Sequence, residues 1–143
     1  MPNKLVTILV GILTSALAVA AADKKPADKK PDISKLPAPA AKTGLTWDKD
    51  IKGFIEASCG KCHGGDKPKS KYRVDTRENF IKGGESDEKA VIPGKSAESP
   101  AVLYTAGLVE DMEMPPTDKR DKYAPLTKDQ IALLRAWIDQ GAK

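Results

Sequence analysis

"CGKCHGG", Cys59 to Gly65, holds both cysteines and the sole histidine of the chain. Three residues with ligand chemistry fall within five positions, and no other thiol or imidazole can assist them. A structural zinc site needs four ligands, and these three would crowd a single ion. A thioredoxin-like dithiol needs a βαβ setting, which the flanking sequence does not offer. A plain disulfide leaves the histidine and the flanking glycines without a role.

The remaining reading is covalent haem attachment. In a C-x-x-C-H run, two thiols spaced three apart reach the two vinyl groups as thioethers, and the adjacent histidine comes under the iron. Cys59 and Cys62 are then the attachment residues and His63 the proximal ligand. With His63 the only imidazole, the chain cannot supply a second histidine to the same iron. A methionine, a lysine, water or a partner must take the sixth position.

Upstream, "MPNKLVTILVGILTSALAVAAADKKP" carries one basic residue, Lys4, and then an uncharged run from Leu5 to Ala22. Its apolar heart, Leu5 to Ala20, is 16 residues, shorter than the ~20 that span a bilayer. It ends in alanines that suit cleavage after Ala20 or Ala22. Residues 1–22 therefore read as a signal peptide, with an uncleaved anchor as the alternative. Export puts the cysteines in an oxidising compartment, where an idle dithiol would be oxidised. The expected location is the periplasm of a Gram-negative-type envelope.

Residues 23–42, "DKKPADKKPDISKLPAPAAK", are rich in Lys, Pro, Ala and Asp, with little to bury. That composition reads as a disordered linker. The whole chain is formally +4, and the linker holds most of that excess. Residues 43–143 carry 17 basic and 17 acidic side chains. A nucleic-acid reading needs a basic face on the domain, so it fails. The Lys-rich tail, or an uncleaved leader, offers contact with an anionic membrane surface.

The folded part, 43–143, is small for a self-sufficient core, which fits a core completed by a cofactor. Ile51, Phe54 and Ile55 predict a helix from Trp47 to Ser58 with Thr46 as its cap. "VDTRENFIKGG" predicts a short helix from Asp75 or Thr76, ending at Gly83-Gly84. Ser99-Pro100 predicts an N-cap followed by proline at the first helical position. "LTKDQIALLRAWIDQGAK" is the clearest element. Thr127 and Gln130 form a capping box, and Ile131, Leu134, Trp137 and Ile138 share one face. Trp137 is expected to pack near Phe54. No stretch alternates at period two over a useful length, so the class is all-α.

"EDMEMPPTDKRDKYAP" reads as a loop, and its methionines, Met112 and Met114, are the distal candidates. Thioethers are usually core filler, so their place in a charged loop is unusual. The residue before a proline is pushed into extended backbone, and Pro115-Pro116 fixes φ at two positions. Local geometry therefore favours Met114. Arg73, Arg77 and Lys95 are candidates to pair with haem propionates, against the plainer reading of solvated charges.

"FIEASCGKCHGG", "YRVDTRENFIKGGES", "VIPGKSAESP", "MPP" and "LTKDQIALLRAWIDQGA", in that order, resemble the planctomycete-type cytochrome c domains. These are a branch of the class I c-type cytochrome superfamily, and the likeness covers roughly residues 50–142. It implies a small all-α class I cytochrome c fold whose terminal helices pack together around a covalently bound haem. It also implies His/Met axial ligation, with Cys59 and Cys62 binding one haem c and His63 and Met114 on the iron. The expected function is that of a periplasmic monohaem cytochrome passing single electrons between redox partner proteins. No residue set suggests acid–base catalysis. The alternative is a haem enzyme, peroxidase-like, or a gas or redox sensor with a displaceable distal ligand.

Overall fold

The Thr127 hydroxyl accepts the Gln130 N–H at 3.2 Å, and the Gln130 side chain accepts the Thr127 N–H at 2.9 Å. Two of the free donors at this helix start are thus satisfied reciprocally. The computed structural model describes residues 30–143, and these form four α-helices with no strand among them. They are α1 (Lys52–His63), α2 (Arg77–Lys82), α3 (Pro100–Thr105) and α4 (Lys128–Asp139), joined by loops with short 3₁₀ turns. The all-α expectation holds. The leader expected over 1–22, and residues 23–29 of the expected linker, lie outside the described residues.

A wide turn of π-helix, Trp47–Ile51, leads directly into α1 and buries Trp47 and Ile51. The helical path continues five residues beyond the expected end at Ser58, so the cysteine motif forms the last turn of α1. Thr46 does not cap with its own side chain. Instead the Asp50 carboxylate accepts the Thr46 N–H at 2.9 Å.

The apolar face of α4 is buried as its spacing requires, with Trp137, Leu134 and Ile138 fully enclosed. Trp137 lies 5.6 Å from Trp47 and 6.3 Å from Phe80, ring centre to ring centre. Its recorded aromatic partners are thus Trp47 and Phe80 rather than the expected Phe54, because the π-turn brings Trp47 inward. The N-terminal helical path meets α4 through this first turn. Removing so large a buried ring costs roughly 3–5 kcal/mol.

Thr76 caps α2 through the Asn79 N–H at 3.2 Å. Ser99 precedes α3 without capping it by its side chain. Its buried hydroxyl accepts the Ile92 N–H and donates to the Lys95 carbonyl, both at 2.9 Å. The Pro93–Ser96 turn is also fastened to α4. Gly94 N–H donates to the Ile138 carbonyl at 2.7 Å, and Ser96 donates from both N–H and hydroxyl to the Asp139 carboxylate at 2.9 Å.

The linker expectation needs correction from Pro31 onward. Leu36 is buried, Ala40 N–H donates to the Ala132 carbonyl at 2.9 Å, and Arg135 donates to the Pro37 carbonyl. Gln140 donates to the Lys42 carbonyl at 2.9 Å and accepts the Leu45 N–H at 3.3 Å. The segment is therefore a strap along α4, although its composition is that of a linker. One leucine and several backbone partners hold it, and neither is visible as periodicity.

Candidate functional site

The last turn of α1 brings Cys59, Cys62 and His63 to the wall of a cavity of about 360 Å³. Met112 and Met114, from the loop after α3, line the same cavity. Leu126 and Leu134 belong to its lining as well, so α4 supplies part of the floor. The expected attachment residues and the candidate axial ligands are thus gathered in one place.

The two thiols are not bonded to each other. Burial, with a smaller contribution from Cys62, pushes the Cys59 thiol up to about 11, so as a free group it would be protonated and unreactive. His63 Nδ1 lies 3.2 Å from the Lys69 carbonyl. That acceptor calls for the proton on Nδ1 and leaves Nε2 as the nitrogen available to a metal. Burial lowers the His63 pKa and so favours the neutral imidazole that coordination requires. The His63 carbonyl accepts the Val74 N–H at 3.0 Å, which ties the end of α1 to the following segment.

The methionine loop is fastened at Met114, whose N–H donates to the Tyr104 carbonyl at 3.0 Å. Arg120 Nε donates to the Pro115 carbonyl at 3.4 Å. Met112 N–H closes a local turn on the Val109 carbonyl at 3.2 Å.

Arg73, Arg77 and Lys95 do not line the cavity. Arg73 pairs with Asp75 at 2.7 Å and donates to the Gly65 carbonyl at 2.9 Å. Arg77 pairs with Glu78 and reaches the Ala142 carbonyl, while Lys95 pairs with Glu98. The first two brace backbone. Of the glycines beside the cysteines, Gly64 has a clear steric need, since a Cβ there would lie 2.5 Å from the Gly60 carbonyl oxygen.

Sequence reasoning missed Tyr72. Its ring centre lies 5.0 Å from that of His63, and its hydroxyl donates to the Phe80 carbonyl at 3.0 Å. Burial raises its pKa far out of the physiological range, which keeps it a neutral donor. An aromatic nine residues after the histidine carries no periodic signal, and only the fold brings it back.

Residues 59–118 match the family model described as Planctomycete cytochrome C. That match supports a planctomycete-type cytochrome c domain over this stretch. No curated protein and no solved structure gives a match. A cytochrome c domain implies haem c and points to a haem-binding electron carrier. The residues present fit that group, with two thiols and an imidazole on one wall, two thioethers on the loop opposite in sequence, and an Nδ1 already engaged. Zinc finds no comparable set, since no cluster of three or more His, Cys, Asp and Glu is gathered for a metal among the described residues.

Proposed function

We propose that this chain is a periplasmic monohaem electron carrier, with haem c held by Cys59 and Cys62 and with His63 and Met114 as its axial ligands. The observation that carries the reading is that these four residues line a single cavity. When bound, the haem would supply a one-electron Fe(III)/Fe(II) couple.

The residues of this chain have separable tasks. Cys59 and Cys62 would fix the group to the last turn of α1. The Lys69 carbonyl holds the Nδ1 proton of His63, which fixes the tautomer and raises the basicity of Nε2. The apolar lining excludes water and lowers the local dielectric, which favours the form of the site with less charge. A thioether from Met114 would raise the potential relative to a second nitrogen ligand.

A displaceable distal ligand would suit an enzyme or sensor. The Met114 N–H bond to Tyr104 argues against it by fastening the loop at that residue. Redox proteins are the partners this reading expects. Among the described residues, no helix is long and apolar enough to cross a membrane.

The test is mass spectrometry of the chain matured with haem-attachment machinery. One haem should remain on the protein through acid and organic extraction. Two free thiols, or a disulfide, in that material would sink the reading.

A further inference from the structure

The Gly83-Gly84-Glu85 segment lies well away in sequence from the cysteine motif, yet all three residues line the same cavity. The turn it touches is Lys69–Lys71, which supplies the acceptor for His63. The Lys69 carbonyl accepts Tyr72 N–H at 3.1 Å and faces His63 Nδ1 at 3.2 Å. Ser70 and Lys71 both have φ of 52°, a left-handed conformation uncommon for residues other than glycine. Two such residues in succession need outside support.

That support comes from the glycine segment. Glu85 N–H donates to the Ser70 carbonyl at 2.8 Å. Gly84 lies so close beneath it that an added Cβ would stand 2.4 Å from the Ser70 oxygen and 3.0 Å from Tyr72 Cβ. The segment is itself fixed, for Gly83 has φ of 90° and a Cβ there would lie 2.6 Å from the Glu88 oxygen. Only a residue without a side chain lets the two backbones meet at this distance.

We propose that Gly84 is a positioning residue for the proximal imidazole. By admitting the close backbone contact and the Glu85–Ser70 bond, it holds the Lys69–Lys71 turn in its left-handed form. The Lys69 carbonyl then stays on His63 Nδ1. Gly84 thereby sets the donor strength of His63 without touching it. This rests on the reading of His63 as an axial ligand. A strong Nδ1–H bond makes the imidazole a better donor, which favours the ferric state. Weakening it must raise the reduction potential.

The experiment compares haem-loaded wild type with Gly84→Ala and Ser70→Val. Readouts are the reduction potential, proton NMR of the ferric His63 ring, and hydrogen exchange at Nδ1. Gly84→Ala should raise the potential and speed Nδ1–H exchange roughly tenfold, about the equilibrium value of one hydrogen bond. The Met–iron charge-transfer band should not change. Ser70→Val leaves Gly84 untouched and, as a β-branched residue at a left-handed φ, disfavours the turn, so it should shift both readouts the same way by less. It keeps the question decidable if Gly84→Ala fails to fold. A hyperfine-shifted His63 ring in wild type that is unaltered in folded Gly84→Ala overturns the positioning role alone. The same holds for an unaltered ring in Ser70→Val if Gly84→Ala does not fold. A wild-type His63 ring with no hyperfine shift overturns the axial-ligand reading and the positioning role together.

Discussion

Met114 is hydrogen-bonded through its backbone N–H to the carbonyl of Tyr104, near the end of α3, at 3.0 Å. Met112, two residues earlier, has only a local turn bond to Val109. A ligand that must stay on iron through many redox cycles needs the first kind of attachment, because every loop opening would lose it.

Met114→Ala is accordingly expected to abolish the ferric Met–iron charge-transfer band, lower the reduction potential and open the iron to carbon monoxide. Met112→Ala should leave all three nearly unchanged. The reverse pattern would assign the ligand to Met112. No effect from either would revive a lysine, water or partner ligand.

Leu36→Ala should destabilise the domain by roughly 2 kcal/mol, within the range of buried leucine truncations, and lower Tm by roughly 10 °C. Limited proteolysis should find Lys35 and Lys42 protected in wild type and cleaved faster in the variant. Equal cleavage in both would mean that the strap along α4 does not hold in solution.

Asp139→Ala removes the acceptor of two hydrogen bonds from the buried Ser96. Leaving those donors without a partner costs about 1–3 kcal/mol each at most. Asp139→Asn keeps an acceptor and should recover part of the loss. Denaturant midpoints should fall in the order wild type, Asn, Ala, with the slope unchanged.

Arg73 and then Asn79, as hydrogen-bond donors, pull the Asp75 carboxyl from 3.8 to about 2. A depressed carboxylate contributes stability that is present above its unfolded value and lost as pH falls through its folded one. Wild type should therefore lose this contribution between about pH 4 and pH 2. Asp75→Asn should have a shallower acid limb over that window. Superimposable acid limbs would show that the pair has no influence on folding.

Elements with a local signature were legible before any coordinates. The capping box at Thr127–Gln130 and the buried face of α4 follow from one turn of sequence. Cys59, Cys62, His63 and Met114 stood out as candidates because thiols, imidazole and a pre-proline thioether are rare and chemically specific, and the fold brings all four to one cavity. Contacts made through backbone were not legible. The strap at Pro31–Lys42 depends on carbonyls and N–H groups that every residue has. The Ser99 hydroxyl serves Ile92 and Lys95 rather than its own helix, a choice made by tertiary packing. The Gly83-Gly84 stop was correctly placed as the end of α2. Its approach to Ser70 could be seen only once the chain had folded back.

The strap also changes what the molecule can present to another protein. Pro37, Ala40 and Lys42 occupy hydrogen-bonding positions along α4, so that flank of the helix is already covered from within the chain. A fusion or truncation that starts at Thr43 would uncover Arg135 and Gln140, whose partners on the strap would be lost. The border at which this domain can be joined to another therefore lies before Pro31. A partner arriving to exchange electrons would have to approach from a side other than the covered flank of α4.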